Sequence, residues 1–172
     1  MKAFLLGVVI GLILLPTLAF LYLKYGFVPV ATAAPPLPLE RKLAHMALDA
    51  RIAKEAPAQS PVPATESHLL AGAQLYREHC AVCHGSTSDT KTAIAKGMFP
   101  APPLLLHGKG VTDDPVGETY WKVANGIRLT GMPGFRGTLN DEQMWEVSQL
   151  VATADKLPPS VTAVVQQPPA SN

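Results

Sequence analysis

CAVCHG (residues 80–85) holds both cysteines of this 172-residue chain and sets a histidine directly behind the second. A disulfide closing so short a loop would constrain the unfolded chain little. A zinc site wants a second pair of ligands at characteristic spacing, and no further cysteine exists. A thioredoxin-like dithiol also uses C-x-x-C, but within a βαβ pattern, and no alternating strand pattern of useful length occurs here. C-x-x-C-H gives each position a use. The thiols of Cys80 and Cys83 add to the two vinyl groups of one haem, and His84 is carried beneath the ring to ligate the iron. The expected cofactor is therefore one covalently bound haem c.

Iron then takes a sixth ligand or keeps an open site. The candidates are Met98, Met132, Met144, His68, His79 and His107. Met144 falls on the apolar stripe of a predicted helix and reads as core. His68 and His79 share a helix with the attachment site, from which the opposite face of a haem is hard to reach. Met98 in KGMFPAPP and Met132 in TGMPGF both lie in loops. Gly131, Pro133 and Gly134 around Met132 allow the backbone to pass close to a ring and fix it there. Met132 is the expected ligand and Met98 the alternative. His107 reads as a surface loop histidine.

Outward from the motif, residues 66–157 form the expected globular domain, with three main helices. Thr65 caps the first, which runs through SHLLAGAQLYREHC with Leu69, Ala73 and Tyr76 on one face. The second covers GETYWKVAN (117–125) and ends at Gly126. The third starts at Asn140, where Gln143 completes a capping box, and carries Met144, Val147 and Val151 as a stripe beside Trp145. The fold class is all-α. The domain carries two more acids than bases, and the whole chain has a net charge of +1, which offers phosphates no basic face and excludes a nucleic-acid partner.

The flanks are different in kind. Apolar residues are 48% of the chain and charged residues 16%, an excess concentrated in residues 3–23, which contain no charge. As a helix these residues reach about 31 Å, enough to cross a bilayer, so residues 1–27 read as a membrane anchor. A signal peptide cut near Ala33 is the competing reading, against which stands the length of the apolar run. Residues 28–65 read as a proline-rich linker interrupted by a short amphipathic helix over 39–56, whose stripe is Leu39, Leu43, Met46, Ala47 and Ala50. Residues 158–172, uncharged and without periodicity, read as a mobile tail.

In this order the motifs resemble a small Met/His-ligated cytochrome c domain. Gly72 and Tyr76 precede Cys80-x-x-Cys83-His84; a proline-leucine loop PAPPLLL and the segment NGIRLTGMPGF follow; a last helix holds Trp145. The resemblance implies a small cytochrome c fold, with Gly72 and Tyr76 packed on the Trp145 helix. It also implies that a carbonyl of Pro102 or Pro103 accepts the Nδ1 hydrogen of His84, which fixes the ligand tautomer.

Two protein ligands leave iron no vacant position, which favours one-electron exchange over substrate chemistry. The expected function is that of an electron carrier rather than an enzyme: a monohaem cytochrome of a respiratory chain. It is tethered to a bacterial inner membrane by one span, with its haem domain in the periplasm, and serves a quinol-linked donor and a terminal oxidase or reductase. A fixed haem subunit of a larger oxidoreductase is the alternative, and a haem-based ligand sensor a third reading.

Overall fold

The computed structural model describes residues 1–87, 91–106 and 114–170; His107, singled out above, lies outside them. Two compact units divide the chain at Arg41/Lys42. The first is dominated by α1 (Lys2–Lys24), which buries none of its side chains. Mean hydropathy reaches 2.7 in this helix, which is long and apolar enough to cross a membrane. Pro16 removes one N–H from its ladder, and nearby Thr17 Oγ1 donates to the Ile13 carbonyl at 2.7 Å. At its end Tyr22 stacks on Phe27 with ring centroids 5.9 Å apart.

The second unit is built on α3 (Glu66–Leu75), α6 (Val116–Asn125) and α7 (Asp141–Ala152). Each begins or ends where its cap residues direct. Thr65 accepts from the His68 N–H at the start of α3. Gly126, at φ +67°, ends α6 in the left-handed region that glycine adopts without cost. Asn140 and Gln143 exchange side-chain and backbone hydrogen bonds of 2.9 and 3.0 Å at the start of α7. Among the described residues there is no strand.

The decisive packing is α3 on α7. A Cβ placed on Gly72 would stand 2.3 Å from the Glu146 carbonyl oxygen and 3.2 Å from the Val147 nitrogen. The two backbones therefore touch, and only a residue without a side chain permits it. Leu69, Ala73 and Tyr76 of α3 and its extension meet Met144, Val147, Leu150 and Val151 in one buried core. On the other flank Tyr120 of α6 stacks on Trp145 at 4.0 Å between centroids, and Tyr120 Oη donates to Asp141.

Three parts of the chain depart from the expectations. Residues 158–170 are not a mobile tail. Pro158 and Pro159 start α8 (Pro159–Val165), whose Val161 and Val165 are both 0% exposed, and the helix packs on α3. Four-residue spacing of two valines suffices here, because α3 supplies an apolar surface to receive them. Beyond α8, Ala170 N donates to the Arg77 carbonyl and Arg77 Nε to the Pro168 carbonyl.

The second departure is the segment before α3, read as linker, which is a packed strap. Its Val62 is buried, the Val62 carbonyl accepts from Gln149 Nε2 at 2.8 Å, and Pro57 lies so close to α6 that a Cβ on Gly117 would stand 1.7 Å from its carbonyl oxygen. Proline-rich backbone is extended and leaves its carbonyls unpaired, which suits it to lie along helices that offer donors. The third concerns α2 (Glu40–Glu55), which forms where expected but turns its stripe outward. Leu43 and Met46 are exposed, whereas Ile52, on another face, is buried.

Gly72→Ala tests the crossing. The added methyl meets backbone that cannot rotate away, so the haem-loaded protein should lose about 1–3 kcal/mol of stability by denaturant unfolding. An unchanged midpoint would mean that the helices are not in backbone contact.

Candidate haem site

Helix α3 does not run regularly into the cysteines. After Leu75 the backbone widens into one π-helical turn, Tyr76–Cys80, and then tightens into α4 (Ala81–His84). Such turns insert a residue into the helical register and are frequent at functional sites. Nothing in YREHC announces one, and sequence reasoning missed it. Cys80, Cys83 and His84 then occupy positions i, i+3 and i+4, which share one face of a helix. Gly85, at φ +74°, stops α4 directly behind the histidine. Its carbonyl accepts from Tyr76 Oη at 2.8 Å, with Tyr76 0% exposed, so both ends of the turn are tied to the α3–α7 core.

Electrostatics separate the possible chemistries of the two thiols. Both are free. Burial first, and the neighbouring Cys83 second, push the Cys80 thiol up to about 12. A redox or nucleophilic cysteine needs the opposite shift, toward thiolate at neutral pH. This environment suits a cysteine that ends as a neutral thioether.

His84 is buried and pairs through Nδ1 with the Pro103 carbonyl at 2.8 Å. Of the two prolines left open by the sequence, Pro103 is the partner. Its hydrogen bond assigns the Nδ1 proton and leaves Nε2 as the nitrogen available to a metal. Burial lowers the His84 pKa below its ordinary value, partly offset by the Pro103 bond. The imidazole is thus held neutral, the form that ligates.

Met132 lies in a segment pinned at several points. Met132 N donates to Thr130 Oγ1 at 3.1 Å, and its carbonyl accepts from Ile127 N at 3.1 Å. Three residues on, Phe135 N donates to the Val123 carbonyl at 2.9 Å. The segment presses on the end of α6, where a Cβ on Gly126 would stand 2.6 Å from Gly134 N and 2.8 Å from the Met132 carbonyl oxygen. The half-buried Met132 packs against the same apolar core that takes in Cys80. Met98 comes to the same loop: its Cε would lie 1.9 Å from a Cβ on Gly131. Met144 is buried core, His68 pairs with Glu146 on α7, and the His79 ring lies tilted by 57° to that of Phe135 with centroids 6.0 Å apart.

The donor set and its surroundings fit a haem. Two unbonded thiols and an oriented neutral imidazole share one helical face, and large apolar side chains between Val82 and Leu129 stay uncovered. Val82, Ile94 and Phe99 are exposed, and Leu129 is 93% exposed at φ +61°. Thr92 links two of these stretches, donating to the Val82 carbonyl at 2.8 Å while it caps α5 (Ala93–Lys96). An apolar macrocycle is the kind of group such side chains would cover.

An all-helical core, the C-x-x-C-H turn and a carbonyl-locked histidine together define a c-type cytochrome. Residues 68–151 match the family described as "Cytochrome C oxidase, cbb3-type, subunit III", and this part of the chain is a c-type cytochrome domain. Haem c is the cofactor that such a domain carries, and electron transfer is its chemistry. Among solved structures, the chain is similar to one from the Kuenenia stuttgartiensis reducing HAO-like protein complex, at 25% identity and a TM-score of 0.50. That likeness covers 58% of this chain and 49% of the other, so this chain matches about half of its neighbour's length. No curated protein matches this sequence.

Tyr76→Phe probes the tie behind the motif. It leaves the Gly85 carbonyl without its donor and should cost about 1–3 kcal/mol in denaturant unfolding of the haem-loaded protein. A loss below about 0.5 kcal/mol would show that the tie carries little.

Proposed function

We propose that this protein is a membrane-tethered monohaem electron carrier. Cys80 and Cys83 would hold one haem c, and His84 and Met132 would ligate its iron. The observation that supports this most is His84 itself: buried, neutral and locked by Pro103 with Nε2 left for iron. The haem would supply reversible one-electron chemistry; the chain supplies attachment, ligand orientation and apolar side chains to cover the ring. A thioether at the sixth position raises the reduction potential relative to a second histidine. With His84 and Met132 both bound to its iron, such a haem would exchange one electron with little rearrangement.

In this reading α1 anchors the chain in a bacterial inner membrane and the haem domain faces the periplasm. A tether confines the domain near membrane complexes and raises its effective concentration there. A quinol-linked donor and a terminal oxidase or reductase are the partners that such a carrier would serve. A fixed subunit of a larger oxidoreductase is the second reading. It is favoured by the description of the matching family as an oxidase subunit and by a structural neighbour taken from a protein complex.

The ligand assignment is tested by substitution. Met132→Ala should retain covalent haem, lower the midpoint potential and let the reduced protein bind carbon monoxide. Met98→Ala should leave the spectrum and the potential as they are. The reverse pattern would transfer the ligand role to Met98, and carbon monoxide binding by the unaltered protein would favour the sensor reading instead.

A further inference from the structure

A second cluster of ligand-type side chains sits at the α3–α7 crossing and has no part in the haem motif. His68 in the first turn of α3, and Glu142 and Glu146 on α7, each offer one ligand atom, and these atoms lie within 4.8 Å of one another. His68 Nδ1 stands 2.9 Å from Glu146 Oε1. Glu146 is buried, whereas Glu142 is exposed.

Two carboxylates converge on one imidazole here, which leaves the cluster with an excess of negative charge. Glu142 and Glu146 are four residues apart on one helix face, where like charges repel. One imidazole compensates at most one carboxylate, and only when it is protonated. The positive end of α7 accounts for an acid at position 142, but not for its convergence with a buried carboxylate and a histidine from another helix. A divalent cation would satisfy all three groups at once.

We propose that His68, Glu142 and Glu146 bind a divalent transition-metal ion of the zinc class, which fastens the start of α3 to α7. One nitrogen and two carboxylate oxygens make a zinc-type donor set with a fourth position left for water. The imidazole disfavours calcium and magnesium, which take oxygen ligands. A tetrahedral ion with bonds of about 2.1 Å sets its ligand atoms about 3.4 Å apart. Rotation of the exposed Glu142 side chain closes the widest gap, and a small withdrawal of His68 from Glu146 opens the narrowest. His79 and Glu78, 3.9 Å apart, offer only two ligands and serve as an internal comparison.

The test uses the untagged, full-length, haem-loaded protein in detergent, freed of loosely held metal and titrated with zinc chloride by calorimetry. Thermal unfolding is followed in parallel. One zinc ion should bind per chain and raise the unfolding temperature, and calcium chloride should do neither. His68→Ala and Glu142→Gln should each weaken zinc binding at least about tenfold and remove the thermal shift. Glu142→Gln leaves the core packing in place because its side chain is exposed, so its loss of binding would not reflect unfolding. The proposal is overturned by absence of zinc binding, or by binding whose affinity and stoichiometry both variants leave unchanged, which would put the ion elsewhere.

Discussion

Backbone contact between α3 and α7 at Gly72 is the constraint on which the haem domain depends. It sets the two helices so close that no side chain fits between their backbones at this point. One turn further along, the contact seals Tyr76 from solvent, and the buried hydroxyl of Tyr76 reaches Gly85 behind the histidine. The π turn that starts at Tyr76 then turns the chain so that Cys80, Cys83 and His84 share a face. A shift of a few tenths of an ångström at the crossing would be passed to all three, because close-packed interiors transmit strain rather than absorb it.

The segment proposed to supply the methionine ligand rests on a second backbone-on-backbone contact, between Gly126 at the end of α6 and Met132–Gly134. α7 joins the two contacts, since Glu146 and Val147 lie against Gly72 while Trp145 stacks on Tyr120 of α6. One helix therefore holds both the attachment turn and the methionine loop in register. The shift of the Cys80 thiol to about 12 and the lowering of the His84 pKa share a cause, exclusion of water. The site is arranged to keep its groups neutral, which suits thioether attachment and imidazole ligation and opposes thiolate chemistry.

Elements governed by local rules were legible in the sequence. Thr65, Asn140 with Gln143, and Gly126 mark helix ends through their own backbone and side-chain hydrogen bonds, and each does so in the structure. C-x-x-C-H was legible because its spacing is chemical. Elements that depend on a surface made elsewhere were not. Val161 and Val165 are too few to define a helix until α3 supplies the face they fill. Val62 and Pro57 look like spacer until α6 and α7 supply donors and a groove. The choice between Pro102 and Pro103 needed the loop's path, and the π turn needed the register of the whole first helix. In α2 the stripe of Leu43 and Met46 was legible as a stripe, but periodicity does not say which apolar face is covered, and here it is the face of Ile52.

The account's central claim is that one haem is covalently held by the CAVCH turn and ligated by histidine and methionine. It is tested most directly by producing the full chain in cells able to attach haem, staining the denatured band for haem, and recording the spectrum of the oxidised protein. The account predicts haem that stays with the denatured polypeptide and a sulfur-to-iron charge-transfer band. A band without haem would contradict the attachment, and attached haem without the charge-transfer signal would contradict the methionine ligand.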